Sequence, residues 1–467
     1  MQAAALFSAL RQAAEPAVAA AIERLVAQGP DRALCRINAL AFAASHALAE
    51  EPTIAGFLHA AKLGLFDMSW NVLCPGCGGV LDSGANLKSI HQEQYHCALC
   101  AAGYEPSLDE RVEVSFTVSP RLRAIAAHDP DRLPPFEYYR QVFFSTGVDL
   151  RDDFEERFAA AILAMVELQP GEKTALSLEL PAQFAILFDA VTHSVQFLDV
   201  QGEPTPQTQV LSMVVSNGHE LNEAVRLRPG PLRLALQNHS DRRVLPNLCV
   251  AGDNLHAILE RRRPFLTAKR LLTTQTFRDL HRTESLTVDQ RLKLASLTFL
   301  FTDLRGSTAL YERVGDLAAF DLVRAHFRVL QDIVAAEQGA VVKTIGDAVM
   351  ATFPSPDKGL SAALKMRSAM RDLNSQRRCD DFVLKIGIHE GPCLAVSLND
   401  RQDYFGQTVN IASRVQGLAD PQAILATASV VEDEAARELL LRSGVAPVRR
   451  PVFLRGMARE VPIFALT

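Results

Sequence analysis

Two aspartates in the C-terminal third of the chain lie where apolar runs break. Asp303 follows the run SLTFLFT, and Asp347 follows Gly346 within VVKTIGDAVM. A β-rich apolar segment that ends at a turn residue is typical of a buried strand. If the two strands are neighbours, both carboxylates lie at one edge of a sheet. The pair alone is compatible with turn formation, and equally with a site that holds a hard cation such as Mg²⁺ against a substrate phosphate.

Further polar residues accompany this pair at regular positions. Lys343 lies four residues before Asp347, and the later stretch DYFGQTVNIASR contains Asp403, Asn410 and Arg414. Asn410 and Arg414 are four residues apart, so a helix would place them on one face. These accompanying residues favour the cation site over turn formation.

This residue set and its spacing resemble the class III nucleotide cyclases, which convert ATP or GTP into a 3′,5′-cyclic nucleotide. The resemblance covers about Leu294 to Thr467. It implies that Asp303 and Asp347 hold two Mg²⁺ or Mn²⁺ ions, one at the ribose 3′-hydroxyl and one at the triphosphate. It also implies that Arg414 stabilises charge on the α-phosphate and that Asn410 orients the ribose.

The same resemblance implies which nucleotide base is bound and how the chain assembles. Lys343 would donate to adenine N1 and Asp403 would accept from the 6-amino group, which favours ATP and makes guanylate cyclase the alternative. In the family, the metal carboxylates come from one subunit and the remaining groups from another. A chain that carries all six residues is therefore expected to form a symmetric homodimer with two sites.

Three arginines near the expected site depart from the family pattern or match it poorly. Arg305 stands beside the first aspartate, where many relatives have a neutral residue. Arg455 and Arg459 lie where some relatives place a cation near the triphosphate, although the surrounding loop does not match closely.

Four of the eight cysteines form two CxxC pairs. Cys74 and Cys77 are followed, after nineteen residues, by Cys97 and Cys100. This is the spacing of a tetrahedral zinc site, and four sulfur ligands leave no open position, so we expect one structural Zn²⁺ per chain. Zinc ribbons often bind nucleic acid, but Lys88 is the only lysine or arginine in the loop between the pairs.

Length and composition limit the function classes. A chain of 467 residues is too long for one ordinary core, and its 48% hydrophobic and 22% charged residues are typical of a globular protein. The net charge of −6 argues against nucleic acid as a partner. No apolar run is long enough for a membrane span, and the N-terminus lacks the basic start of a signal peptide. We therefore expect a cytoplasmic protein without membrane insertion.

Helical and strand periodicities indicate how the chain divides into domains. Alternation of Val112, Val114, Phe116 and Val118 with polar residues predicts a half-buried strand. The fold class is α+β, with a ferredoxin-like or palm-type sheet in the cyclase domain. The predicted parts are a helical N-terminal segment (1–68), a zinc-ribbon-like module (69–110), an antiparallel β-rich domain (111–263), a linker (264–294) and the cyclase domain (295–467).

The whole arrangement also resembles a group of bacterial adenylate cyclases with an uncharacterised N-terminal region, through stretches such as GLFDMSWNVLCPGC and RPFLTAKRLLTTQTFRDLHR. That group brings no known ligand, so the β-rich domain is either a scaffold or a sensor of an unknown ligand or protein. Two other classes stay open: a catalytically silent nucleotide-binding module, and a zinc-ribbon transcription factor with an appended effector domain. A catalytically silent module would be expected to lack a metal aspartate or Arg414, and this sequence has them all.

Overall fold

The computed structural model forms two compact units. The first comprises Met1–Pro106 and Arg111–Leu266, and the second Ser107–Glu110 and Thr267–Thr467. The predicted linker 264–294 therefore divides between them, with most of its described residues in the second unit. The structure describes residues 2–90, 94–105, 107–217, 223–252, 258–281, 292–305, 312–377, 382–398, 401–450, 454 and 460–466.

The first unit begins with the predicted helices. Pro16 opens the second helix, where its missing N–H costs no hydrogen bond, and the Asn38 side chain caps the third by accepting from the Leu40 and Ala41 amides. The helices of this unit are α1 Gln2–Ala13, α2 Pro16–Gln28, α3 Ala39–Ser45, α4 Glu50–Lys62, α5 Pro135–Tyr138 and α6 Phe154–Ala161.

Thirteen strands follow in the described part of the first unit. They are β1 Phe66–Leu73, β2 Val80–Gly84, β3 Tyr95–Cys97, β4 Ala102–Tyr104, β5 Val112–Val118, β6 Ile162–Met165, β7 Lys173–Leu180, β8 Ala185–Asp189, β9 Val195–Val200, β10 Gln209–Val215, β11 Val225–Leu227, β12 Gly230–Asn238 and β13 Pro246–Val250. Their sheets have the orders β2-β1-β5, β3-β4, β10-β12-β7 and β11-β9-β8-β13-β6.

The predicted β-rich character is confirmed, but two strand pairs are parallel rather than antiparallel. They are β10 with β12 and β11 with β9. A parallel pair needs a long crossover connection, and here the chain between β10 and β12 passes through β11 in the other sheet. The periodicity of an individual strand carries no information about such a crossover.

The strand β5 is buried on both faces, whereas the sequence predicted one buried face. Glu113, on the face expected to be exposed, is fully buried, and its carboxylate accepts from Arg36 (2.8 Å), Asn71 (3.1 Å) and the amide of Thr146 (2.8 Å). A buried carboxylate needs this degree of pairing to stay charged. The network explains why a polar face can lie in the interior.

The second unit contains the predicted cyclase-like sheet. Its helices are α7 Ala268–Leu272, α8 Gln275–Leu280, α9 Asp316–Ala336, α10 Pro356–Arg377, α11 Gln407–Gly417, α12 Ala428–Val431 and α13 Glu434–Ser443. Its strands are β14 Leu292–Leu304, β15 Ala340–Ile345, β16 Ala348–Phe353, β17 Leu384–Leu398, β18 Arg401–Phe405, β19 Ile424–Thr427, β20 Pro447–Arg450 and β21 Ile463–Leu466.

The order of this sheet is β15-β16-β14-β17-β19-β21-β20, with β18 paired only to β17. Most neighbours are antiparallel, and β17 and β19 are parallel. The α10 helix packs on the sheet through a buried core that includes Leu300, Phe353, Leu360, Met366 and Ile388. The mixed sheet with packed helices agrees with the predicted α+β class.

A four-residue stretch of the N-terminal part of the sequence belongs to this second unit. The Leu108 amide donates to the Lys293 carbonyl (3.2 Å), and the Lys269 amide donates to the Leu108 carbonyl (2.8 Å). Asp109 forms an ion pair with Lys269 at 3.0 Å. The chain thus enters the second unit at Ser107, leaves it after Glu110 and returns at Thr267.

Among the described helices, none has the length and apolar character needed to cross a membrane.

Candidate active site and cysteine cluster

A tight hairpin places Asp347. The strands β15 and β16 are joined by Gly346 and Asp347 alone, and Ile345 pairs with Ala348 across the turn. Gly346 has φ of +63°, the left-handed region that glycine adopts without strain and that a two-residue hairpin requires at its first position. The turn therefore fixes Asp347 at one end of the sheet.

Asp303 comes to the same end. It is the penultimate residue of β14, whose Thr302 pairs with Val349 just beyond the hairpin turn. Burial raises the pKa of the Asp303 carboxyl and the charge of Asp347 raises it further, while Lys385 and a hydrogen bond with Gln416 oppose this. Because β14 pairs with β16 directly beside the hairpin turn, the two aspartates, the carboxylate pair, lie at the same end of the sheet.

The carboxylate pair fits a divalent cation. One carboxylate oxygen of Asp347, Oδ2, is buried and has no hydrogen-bond partner among the described residues. A buried carboxylate oxygen without a partner is costly. Two convergent carboxylates with an unused oxygen provide the oxygen ligands that Mg²⁺ and Mn²⁺ prefer.

Lys343 and Asp403 form a second group, the base-recognition pair. The Lys343 ammonium lies 2.5 Å from Asp403 Oδ2. Asp403 is 7% exposed, and its other oxygen accepts from the Tyr404 amide at 2.9 Å, whereas the Lys343 side chain is 43% exposed. One buried acceptor and one accessible donor therefore stand side by side.

Asn410 and Arg414 share an exposed face of α11, as their spacing predicted, while Ile411 and Val415 lie on a neighbouring, buried face. Close packing on β17 fixes the helix. A Cβ on Gly387 would lie 2.1 Å from the Gln416 amide nitrogen, so only glycine allows this approach.

The six predicted residues therefore lie in three groups within one unit: the carboxylate pair, the base-recognition pair and the exposed face of α11. Among the described residues, no hydrogen bond or ion pair joins the carboxylate pair to the base-recognition pair. Arg305 is exposed. Arg455 and Arg459 lie outside the described residues.

His326 is a polar residue near this site that sequence reasoning missed. It lies on α9, is fully buried and stacks against Phe382, with ring centroids 6.4 Å apart. Burial lowers the pKa of His326 to about 4, against the opposing charge of Asp347. A single histidine in an amphipathic helix gives no sequence signal for such a position.

The four cysteines of the two CxxC motifs form one cluster in the first unit. Their sulfurs lie within 4.8 Å of one another, with Cys74 and Cys100 3.6 Å apart and Cys77 and Cys97 3.7 Å apart, and all four are free thiols. Zn–S bonds of about 2.3 Å in a tetrahedron place the sulfurs about 3.8 Å apart. The cluster has the geometry that one zinc ion requires.

The glycines of CPGCGG allow this geometry. The Gly79 amide donates to the Cys77 sulfur at 3.4 Å, and Gly78 has φ of +72°. A Cβ on Gly76 would lie 3.0 Å from the Cys100 sulfur. The loop therefore directs the Gly79 amide toward sulfur, and a side chain at Gly76 would press on the Cys100 sulfur.

The first unit also contains a cavity that the sequence did not indicate. Its volume is about 320 Å³, and its lining includes Cys35, Asn71, Tyr138, Phe143 and His193. These residues come from separate parts of the first unit and form no sequence motif. Only the tertiary fold brings them together.

Comparisons with known proteins agree with these geometries. Residues 290–445 match the model of the adenylate and guanylate cyclase catalytic domain, and residues 1–279 match a family of unknown function, DUF5939. An uncharacterized protein of Mycobacterium tuberculosis is 31% identical over 166 residues, which cover 36% of this chain and 40% of that protein. An adenylate cyclase of Anabaena cylindrica is 32% identical over 152 residues, 29% of this chain and 30% of that enzyme.

Two solved structures resemble the C-terminal part. The adenylyl cyclase CyaB from P. aeruginosa is 24% identical, with a TM-score of 0.34 over 38% of this chain and 96% of the other. The guanylate cyclase domain of RhGC from Catenaria anguillulae is 18% identical, with a TM-score of 0.33 over 38% of this chain and 97% of the other. The chain spans less than half the length of the two curated relatives described above.

The second unit thus contains a class III adenylate or guanylate cyclase catalytic domain, and the predicted resemblance to this class is confirmed. The chain as a whole belongs to the DUF5939 family, whose model covers more than half of it.

Proposed function

We propose that the chain is an adenylate cyclase that converts ATP into 3′,5′-cyclic AMP and pyrophosphate. The observation that carries the proposal is the convergence of Asp303 and Asp347, with a buried oxygen that has no partner among the described residues, in a unit that also presents Asn410 and Arg414 on an exposed helix face. The relatives named as adenylate cyclases support it.

Each group has one task in this reaction. Two Mg²⁺ or Mn²⁺ ions held by Asp303 and Asp347 would supply Lewis acidity at the ribose 3′-hydroxyl and neutralise triphosphate charge. Arg414 donates to the α-phosphate oxygens, where negative charge develops during in-line attack, and Asn410 holds the ribose so that the 3′-oxygen faces the phosphorus. A P–O bond to the 3′-oxygen forms as the bond to pyrophosphate breaks.

The base-recognition pair selects adenine. The Lys343 ammonium is a donor for adenine N1, and the Asp403 carboxylate is an acceptor for the 6-amino group. Guanine presents a donor at N1 and an acceptor at O6, the opposite pattern. The pair therefore supports ATP over GTP as the substrate.

We further propose that two copies share each site. Several large apolar side chains of the catalytic unit are exposed to solvent, among them Ile345 (54%), Phe405 (67%), Leu317 (80%) and Phe320 (57%). An apolar surface of this kind on the catalytic unit indicates a partner, and a symmetric homodimer would bring the carboxylate pair of one copy to the α11 face of the other. Arg414 of one copy then acts on a nucleotide held by Asp303 and Asp347 of the partner.

The N-terminal unit is assigned a regulatory role with one structural zinc ion at the cysteine cluster. The four-sulfur set supports a closed, structural site because it leaves no ligand position for water or substrate. The 320 Å³ cavity provides volume for a small regulatory ligand. Cytoplasmic localisation remains part of this proposal.

The proposal is tested by product formation with the purified full-length protein, ATP and GTP in separate reactions, and Mg²⁺ or Mn²⁺ as the cation. We expect cyclic AMP from ATP and much less cyclic GMP from GTP. Cyclic GMP as the main product would show a guanylate cyclase instead. Nucleotide binding without any product would favour the silent signalling module.

Substitution of Lys343 tests the base assignment. We expect Lys343→Met to lower kcat/KM for ATP about ten- to hundredfold, because adenine N1 loses its hydrogen-bond donor. The kcat/KM for GTP should change much less, so the ratio of kcat/KM for ATP to kcat/KM for GTP falls. Steady-state kinetics with both nucleotides measures this ratio.

Lys365→Met is the matched control, since Lys365 pairs with Glu337 on other elements of the same unit. It should leave the ATP to GTP ratio unchanged. If Lys343→Met lowered kcat/KM equally for ATP and GTP, the proposed role of Lys343 in base recognition would be contradicted.

A further inference from the structure

The short helix α8, which precedes the catalytic sheet, contacts the backbone on both sides of the base-recognition pair. One guanidinium nitrogen of Arg278, Nη2, donates to the carbonyl of Gln402 at 2.8 Å and to the carbonyl of Val342 at 3.3 Å. Gln402 precedes Asp403, and Val342 precedes Lys343. A single side chain thus joins the two strands at the residues next to the pair.

A β-bulge explains why the Val342 carbonyl is available. Val341 pairs with Ala351 and Lys343 pairs with Met350, so Val342 is an extra residue in β15 without a partner in β16. A bulge leaves its extra residue out of the ladder and redirects neighbouring side chains. Arg278 satisfies the carbonyl that the bulge leaves out, and so stabilises the backbone that directs Lys343.

A second contact from the same helix reinforces the first. The Val341 amide donates to the Gln275 side-chain oxygen at 2.8 Å. Because β15 is the edge strand of the sheet, its outward amides and carbonyls have no neighbouring strand. Gln275 and Arg278 together occupy part of this edge next to the bulge.

The two strands that Arg278 joins are not hydrogen-bonded to each other in the sheet. β18 pairs with β17, and β15 pairs with β16. A second polar link between the described residues of these strands is the 2.5 Å contact of Lys343 with Asp403. That link must loosen when both side chains turn to a base, whereas the Arg278 bonds use only backbone carbonyls and can persist.

We propose that Arg278 is a positioning residue for nucleotide selection, which holds β15 and β18 at a fixed separation while Lys343 and Asp403 exchange their mutual contact for contacts with the base. This inference rests on the proposed function and deepens it. Pre-organisation of this kind improves binding of the matching base because little ordering is left for the moment of binding.

The test compares Arg278→Met and Arg278→Lys with the wild-type full-length protein. For Arg278→Met we expect KM for ATP to rise about tenfold, because a charged donor to two carbonyls is lost, with kcat within about threefold of wild type since the catalytic groups remain. The ATP to GTP ratio of kcat/KM should fall in parallel. Arg278→Lys keeps a charged donor and should recover part of the loss.

Arg367→Met is the matched control. Arg367 also donates to a backbone carbonyl of this unit, that of Leu466 at 2.9 Å, on a strand remote from the base-recognition pair. Arg367→Met should leave KM for ATP and the ATP to GTP ratio of kcat/KM unchanged, even if it lowers thermal stability. In the Lys343→Met background, Arg278→Met should have little further effect on KM, because both substitutions act on the same contact.

The inference is overturned if Arg278→Met leaves KM and the ATP to GTP ratio within twofold of wild type, or lowers kcat alone. If Arg278→Met does not fold, the same criteria apply to Arg278→Lys. Binding of 3′-deoxy-ATP, which lacks the attacking hydroxyl, separates this test from that of the proposed function. If the wild-type protein makes no product, the cyclase proposal is refuted. If Arg278→Met binds 3′-deoxy-ATP more weakly than the wild-type protein does, Arg278 is still supported as a positioning residue.

Discussion

Replacement of Asp347 by alanine is expected to lower the rate of cyclic nucleotide formation by about three orders of magnitude. Among the described residues, a buried oxygen of the Asp347 carboxylate has no hydrogen-bond partner. In the proposed mechanism its loss removes a cation ligand that lowers the barrier by several kcal/mol. The fold should persist, because the hairpin depends on Gly346 and on the strand pairing rather than on this side chain. Product formation measures the rate, and circular dichroism shows whether the fold persists.

Asp372→Ala is the control for this substitution. Asp372 is an exposed residue of α10 in the same unit, so its removal changes the net charge equally without touching the site. We expect wild-type turnover. Turnover by Asp347→Ala within tenfold of wild type would contradict the assignment of Asp347 as a cation ligand.

Mixing Asp347→Ala with Arg414→Ala should restore activity if sites are shared between copies. Random exchange of equal amounts makes about half of the dimers mixed, and one of the two sites in each mixed dimer is intact, so about a quarter of wild-type activity is expected. Formation of mixed dimers is checked with two affinity tags. Mixed dimers without activity would refute the shared site.

Replacement of Cys97 by serine is expected to abolish zinc binding and to destabilise the first unit strongly. Structural zinc sites contribute about 10–16 kcal/mol of apparent binding free energy to folding, and Cys97 is a buried member of the four-sulfur cluster. Metal analysis should give about one zinc per wild-type chain and far less in the variant. Calorimetry should show a lower unfolding temperature.

Cys249→Ser separates this effect from the cost of a polar atom in a core. Cys249 is another buried free thiol of the first unit, outside the cluster, whose sulfur contacts the Ile186 carbonyl at 3.5 Å. It should keep its zinc and lose little stability. A wild-type protein purified without zinc, with Cys97→Ser as stable as Cys249→Ser, would contradict the zinc assignment.

The features that could be predicted from the sequence are those encoded locally. Asp347 after Gly346 indicates a turn with a carboxylate, and the spacing of Asn410 and Arg414 indicates a shared helix face. The CPGCGG motif indicates a loop around sulfur. In each case the residues that define the geometry are close together in the chain, so periodicity and turn chemistry are sufficient.

Features that depend on distant partners could not be predicted. Glu113 lies on the polar face of an alternating strand, and hydrogen bonds from Arg36, Asn71, Ser145 and Thr146 make its burial possible. The bulge at Val342 interrupts no sequence pattern, and Arg278 belongs to a charged segment without a motif. Such contacts are decided by tertiary packing, which overrides local preference.

The passage of the chain through the second unit at Ser107–Glu110 has a consequence for inheritance. The DUF5939 match ends at residue 279, so it includes Ser107–Glu110, α7 and most of α8, all of which fold with the catalytic sheet. A recombination event at that boundary would separate the sheet from Arg278, Gln275 and the Asp109–Lys269 ion pair. Genes that exchange their N-terminal parts at this point would therefore produce a catalytic unit with an incomplete sheet edge.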